Sequence, residues 1–287
     1  MTTSPGRLPT FLIIGAMKSG STTLYNHLRQ HPEVMLPDYK EPEFFVEEKN
    51  WSRGVDWYRS LFIGAGEVTA VGEASTSYTK FTEFGGVPAR IASVLPDVQL
   101  VYVLREPISR MRSMYQHQVL TRSESRPINE ALLKDDRYLG PSLYAENARR
   151  YLDYFPRDRL HFLLTDDLQK DPSAAVRGVT EFLGLPDTPD FVPTERVDLR
   201  TSDRRADRRI KSRVRGLAAV EVGFRRAPSS VQNLLRRVAT RPSTASGPTE
   251  LDPATVEVLL EKVRPDLENL TRMLGPQFDA WGLLDLP

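Results

Sequence analysis

The chain has 287 residues, 40% hydrophobic and 27% charged, enough to bury a full core in one large domain. A net charge of +1 argues against a polybasic nucleic-acid binder, and the absence of cysteine excludes disulfides, thiolate catalysis and cysteine-ligated zinc or iron–sulfur centres. The opening MTTSPGRLPT lacks a basic start followed by an apolar core, and FLIIGAM is too short to span a bilayer, so the expectation is a cytoplasmic globular protein.

In chain order, TFLIIGA is a continuous apolar run of the kind found in a strand buried on both faces. A helix is expected over residues 20–30, with Leu24 and Leu28 on one face. EVTAVGEAS gives a short second strand around 70–73, VPARIASVLP a helix, and VQLVYVLRE (98–106) another strongly buried strand. Pro107 fits the first turn of a helix that carries Ile108 to Leu120. A helix over 142–155, a strand in RLHFLLTDDL and a helix in PSAAVRGVTEFLGL, closed by Gly184, complete the alternation. This order predicts an α/β fold, a single domain with a central parallel β-sheet flanked by helices and ligands at the carboxyl ends of the strands.

The domain is expected to span 1–287, with its core at 10–186 and an extension at 187–287. That extension is arginine-rich over 196–241, passes through the loop RPSTASGPTELDP, and ends in the helical PATVEVLLEKVRPDLENLTRML, with Trp281 packing the tail. The arginine-rich stretch reads first as a solvated helical face. Guidance of an anionic acceptor, or weak contact with a membrane surface, are the other readings.

Three stretches carry chemistry. The first, from Gly15 to Thr23, is a strand–loop–helix turn whose backbone amides and helix dipole make an anion site. Gly15 and Gly20 have Walker A spacing, but Ser21 occupies the lysine position and the only lysine, Lys18, precedes Gly20. Arg105 stands at the end of VQLVYVL, where a magnesium-binding carboxylate belongs, which speaks against metal-assisted ATP hydrolysis. A ligand-free glycine turn is the plain alternative. The second stretch is KEPEFF, where Glu41 and Glu43 flank a proline and precede Phe44 and Phe45. Burial of those rings would desolvate a glutamate and raise its pKa toward the range of a general base, although such a residue also occurs at the edge of a core with no role. The third is LREPISRMRSMYQHQ, which combines an arginine fork with Ser109 and Ser113 one helical turn apart. None of the other histidines, His27, His31 and His161, forms a metal-ligand spacing, so no metal is expected.

Taken together these stretches resemble the PAPS-dependent sulfotransferases, in particular the carbohydrate branch with the heparan sulfate N- and O-sulfotransferases. The likeness runs from about Phe11 to Leu185, with RGVDWYRSLF and VGEASTSY also in order and spacing, and it implies their P-loop-like fold. It implies that Lys18 contacts the phosphosulfate and stabilises the leaving group, and that Ser19, Gly20, Ser21, Thr22 and Thr23 cradle the 5′-phosphate. Arg105 and Ser113 would hold the 3′-phosphate, and Glu41 would take the acceptor's proton. Lys40, Glu73, Tyr78 and His117 would stand at the acceptor side. The implied donor is PAPS (3′-phosphoadenosine 5′-phosphosulfate), leaving adenosine 3′,5′-bisphosphate (PAP), and the acceptor a small molecule, lipid or carbohydrate.

Two departures stand out. Many heparan-type enzymes have a lysine after the glutamate matched by Glu73, whereas this chain has Ala74, so a second cation would have to come from elsewhere, such as Lys40. The family's late Lys-Gly-Arg nucleotide loop is also absent from RPSTASGPTELDP. The rival readings are a P-loop nucleotide or small-molecule kinase, and a nucleotide-binding scaffold without turnover.

Overall fold

The computed structural model describes residues 6–186 and 250–286. Five strands form one parallel sheet in the order β2-β3-β1-β4-β5: β1 is Phe11–Gly15, β2 Val34–Met35, β3 Ala70–Ala74, β4 Gln99–Leu104 and β5 Leu160–Leu164. β1 lies at the centre, with Phe11 beside Gly72 of β3 on one side and Gln99 of β4 on the other. Chain direction is the same in every pair, so all five carboxyl ends lie along one edge.

Strands buried on both faces need cover on both, and the side chains divide accordingly. Leu12, Ile14, Leu100, Tyr102 and Leu104 point to one face, against α3 (Val87–Val94), α4 (Pro107–Leu120) and α7 (Tyr144–Leu152). Phe11, Ile13, Val101 and Val103 point to the other, against Leu24 and Leu28 of α1 (Ser21–Leu28) and Val176 and Val179 of α9 (Pro172–Phe182). Smaller helices fill the connections: α2 (Gly54–Ser60), α5 (Ile128–Lys134), α6 (Asp136–Leu139) and α8 (Thr165–Lys170).

The expected alternation is present, with three local differences. The strand near residue 70 is third in the chain, because the two-residue β2 precedes it. The helix near residue 142 begins at Tyr144, after a turn made by Gly140–Ser142. TDDL, read as the tail of a strand, has already turned into α8. The arginine-rich stretch at 196–241, with its expected solvated face, lies outside the described residues, as does most of the loop after it. No helix among the described residues is long and apolar enough to cross a membrane.

The C-terminal helix α10 (Pro253–Leu274) packs on the first face through Leu259, Val263, Leu267 and Leu270. Its Asp266, 8% exposed, accepts from the backbone amides of Ala145 at 3.0 Å and Glu146 at 2.8 Å. It thereby caps α7, whose own preceding residue, Leu143, has no side chain able to do so. Trp281 closes the tail as expected, donating from Nε1 to Asp166 Oδ2 at 2.7 Å and lying over Tyr144. Asp266→Ala leaves the buried Ala145 amide and the part-buried Glu146 amide without this cap, and should lower unfolding free energy by about 1–3 kcal/mol in a urea titration. An unchanged midpoint would show that α7 does not depend on this cap.

Candidate active site

β1 ends in a turn, residues 16–20, that delivers the chain into α1 at the carboxyl edge of the sheet. Two glycines allow it. A Cβ on Gly15 would sit 2.2 Å from Thr79 Oγ1, and Gly20 takes the left-handed conformation (φ 93°) that opens the helix. Lys18 is also left-handed, at φ 73°.

The turn is held from behind by its carbonyls. Met17 O accepts from Arg110 Nη1 at 3.5 Å, and Lys18 O from Arg105 Nη1 at 3.1 Å. The Thr165 hydroxyl lies 2.6 Å from both Ser19 O and Leu104 O. Ala16 N donates to Val103 O at 2.7 Å. With consecutive carbonyls turned back, the amides at the start of α1 are presented on the other side. Gly20 has no side chain to cap them, and the first turn of α1 contains no acidic residue.

The neighbouring helix makes the contrast. α4 begins with Glu106, whose carboxylate accepts from Ile108 N at 2.7 Å and Ser109 N at 2.6 Å. The Glu106 carboxylate, two residues past the end of β4, is thus engaged with its own helix, while the first turn of α1 has neither a side-chain cap nor an acidic residue. Arg105 is half-buried, and Tyr144 OH donates to its carbonyl at 2.6 Å. Behind it Arg110 is fully buried, donating to Ser142 Oγ at 2.5 Å and to Tyr138 O. Burial pulls its proton affinity below the usual value.

KEPEFF folds against the end of β3 and reaches toward this turn. Lys40 Nζ lies 2.8 Å from Thr22 Oγ1 and 3.4 Å from Glu41 Oε1, so one cation links the first turn of α1 to the carboxylate. Thr76 Oγ1 is 3.4 Å from the same oxygen. Glu43 points elsewhere, to Lys49 and Ser77. Phe44 and Phe45 are fully buried, Phe44 stacked on Tyr58 at 4.3 Å. The Glu41 side chain remains 42% exposed, partly desolvated as expected but short of full enclosure.

Full enclosure is found instead at Glu73. This carboxylate has no exposed surface and accepts from Tyr78 OH at 2.6 Å, Ser75 Oγ at 2.8 Å and Tyr58 OH at 3.2 Å. Burial raises its pKa from 4.5 to about 7, against the pull of the three hydroxyls and with Glu41's charge adding to the rise.

Of the residues expected from sequence, Lys18, Gly20, Ser21, Thr22, Lys40, Glu41 and Arg105 meet around the turn. Thr23 is exposed one position on, and Ser19 is fully buried, its carbonyl in the floor of the turn. Ser113 and His117 are partly buried on successive turns of α4. Glu73 and Tyr78 are enclosed, with no surface for an acceptor to touch, because both belong to the hydroxyl cluster behind KEPEFF. Sequence reading missed Arg110, Thr165 and Tyr144. Arg110 alone left a signal, sharing the helical face of Pro107, Met111 and Met114.

Glu73 sets a pH dependence of stability. Its folded pKa is raised, so the folded chain keeps a proton that the unfolded chain loses between about pH 4.5 and 7, and stability falls as pH rises through that window. Thermal melts should show this decline in the native chain and a flatter profile in Glu73→Gln. Parallel profiles would mean that Glu73 ionises normally.

The geometry has relatives. Residues 8–208 match the family model described as the sulfotransferase domain. A human bifunctional heparan sulfate N-deacetylase/N-sulfotransferase 3 is 32% identical over 201 residues, covering 62% of this chain and 22% of that protein. A human heparan sulfate glucosamine 3-O-sulfotransferase 6 is 35% identical over 199 residues, covering 64% and 55%. The chain thus spans between about a fifth and about half of the length of these curated relatives. A sulfotransferase from Alicyclobacillus acidocaldarius superposes with a TM-score of 0.69 at 26% identity, over 96% of this chain and 99% of that one. The match over residues 8–208 places the chain in the sulfotransferase-domain family.

Proposed function

We propose that the chain transfers a sulfuryl group from PAPS to a hydroxyl or amine of an acceptor, with Glu41 as the base. One observation carries this reading: Lys40 links Thr22, in the uncapped first turn of α1, to the Glu41 carboxylate, so a base stands within one side chain of an anion site.

The residues fit the donor. The amides of residues 20–23 and the positive end of α1 suit a 5′-phosphate. Arg105 is tied to Lys18 O through Nη1, which leaves its other donors for the 3′-phosphate, with Ser113 on α4 as a second contact. PAPS supplies an activated sulfuryl group and a good leaving group. Glu41 accepts the proton of the attacking O–H or N–H, and the new bond to sulfur forms as the bridging S–O bond breaks in line with it. Lys18 meets the charge that develops on the departing oxygen, and Lys40 fills the role of the second cation that Ala74 does not provide. His117, one helical turn after Ser113 on α4, is assigned to the acceptor.

The relatives are named for heparan sulfate and its glucosamine. An amino-sugar oligosaccharide is therefore the acceptor class to try first, with lipid and natural-product hydroxyls after it.

The test is transfer of labelled sulfate from PAPS to glucosamine-containing oligosaccharides. Glu41→Gln should keep PAP binding and lose transfer by about 10²–10⁴-fold, the usual contribution of a positioned base. Wild-type transfer by this variant would end the base assignment. Lys40→Ala should cost about 10²–10³-fold in kcat, comparable to removal of one preorganised charge-stabilising donor. If Lys40→Ala changes only the KM for acceptor, it is a binding residue and not the second cation.

A further inference from the structure

KEPEFF has an unusual backbone. Glu41 (φ 59°) and Glu43 (φ 49°) are both left-handed, on either side of Pro42. Each such residue costs about 1–2 kcal/mol in a chain of L-amino acids, so the surroundings must hold the conformation.

They hold it through alternate amides. Glu41 N donates to Ala74 O at 3.1 Å, Glu43 N to Ser75 Oγ at 2.9 Å, and Phe45 N to Tyr78 OH at 3.5 Å. The first acceptor is a fixed carbonyl at the end of β3. The other two are hydroxyls, which rotate, and a rotating hydroxyl holds an amide only while its own hydrogen is directed elsewhere.

Both hydrogens go to the same group. Ser75 Oγ donates to Glu73 Oε2 and Tyr78 OH to Glu73 Oε1, one to each oxygen of the buried carboxylate. Tyr58 OH, from α2, adds a third donor. An ionised carboxylate is acceptor-only, so it obliges both hydroxyls to donate inward and turn their lone pairs toward Glu43 N and Phe45 N. An amide or a protonated acid carries donors of its own and can satisfy only part of this pattern.

We propose that Glu73 is a positioning residue for the reaction: acting through Ser75 and Tyr78, it fixes the 41–45 segment so that the Glu41 carboxylate stays beside the first turn of α1. The inference rests on the assignment of Glu41 as base. It also accounts for a buried carboxylate that has hydroxyls, and no cation, among its described hydrogen-bond partners. The charged and titratable groups that act on it are Tyr58 on α2, Tyr25 on α1, Tyr78, Tyr151 on α7, and Glu41 itself.

The experiment compares the native chain, Glu73→Gln, Ser75→Ala, Glu41→Gln and the Glu41/Glu73 double variant at pH 8, where a carboxyl with a pKa of about 7 is ionised. Hydrogen–deuterium exchange reads the loop without any acceptor. Residues 41–45 should exchange at least ~10-fold faster in Glu73→Gln, with residues 11–15 and 99–104 unchanged. PAP release from PAPS, with a glucosamine oligosaccharide as acceptor, should show kcat down by roughly 10–100-fold, the cost of a misplacement of about 1 Å, while KM for PAPS and PAP affinity stay within about twofold. Ser75→Ala, which removes only one hydroxyl, should give the same split more weakly and guards against a folding defect in Glu73→Gln. The double variant should be no slower than Glu41→Gln alone.

Native exchange and kcat in Glu73→Gln, beside an inactive Glu41→Gln, would overturn the positioning role and leave the base in place. Loss of protection across β1 and β4, together with lost PAP affinity, would also overturn it, since that is a general packing defect. A fully active Glu41→Gln would instead remove the base assignment itself, whatever Glu73 does to the exchange of the loop.

Discussion

The turn between β1 and α1 presents amides because its carbonyls are occupied from behind. Met17, Lys18 and Ser19 each direct a carbonyl oxygen toward a donor brought from elsewhere in the chain: Arg110, Arg105 and Thr165. Two of those donors come from the β4–α4 junction and one from the start of α8. The anion site is therefore a product of strand order. β4 must lie beside β1, and β5 beside β4, before the three donors can reach the turn. The positive end of α1 stays open because Gly20 offers no side chain, whereas α4 closes its own end with Glu106. Selection between two adjacent helix ends is thus settled by a single residue type at each.

A second set of contacts relates Glu41, the proposed base, to this turn. β3 flanks β1 on its other side; its last residue supplies Ala74 O, and the segment after it Ser75 Oγ and Tyr78 OH, to the amides of KEPEFF. Lys40 then crosses from that segment to Thr22. Arg105 and Ser113, the proposed donor contacts, lie on the β4 side of β1, and Lys40 and Glu41, the proposed acceptor-side residues, on the β3 side, with the turn between them. The C-terminal helix supports Arg105 from a distance, since Asp266 caps α7, and α7 carries Tyr144 to the carbonyl of Arg105.

Much of this was legible in the sequence because burial on both faces leaves uninterrupted apolar runs. FLIIG and QLVYVL could scarcely be anything but inner strands, and the residues just after them mark the carboxyl edge. The displaced Lys18 and the arginine at the end of β4 pointed away from magnesium, and the resemblance of the linked motifs, not the residues alone, supplied the phosphosulfate. β2 was missed because two residues leave no periodicity, and Arg110 because a polar residue inside ISRMRSM reads as solvated. Glu73 is the instructive case. It lies inside AVGEA, an apolar strand with two buried faces, so its enclosure could have been read directly, yet resemblance alone set it at the acceptor. Asp266 acts on residues about 120 positions away, and no local pattern announces that.

The uncapped turn, with Arg105 beside it, is proposed to recognise a nucleotide bearing a 3′-phosphate. Calorimetric titration with PAP, and with ATP plus Mg²⁺ in parallel, tests it most directly. PAP should bind near micromolar, about −8 kcal/mol, with a marked loss for Arg105→Ala and little heat from ATP. Tight binding of ATP with Mg²⁺, together with indifference to the 3′-phosphate, would contradict it and make the site that of a kinase.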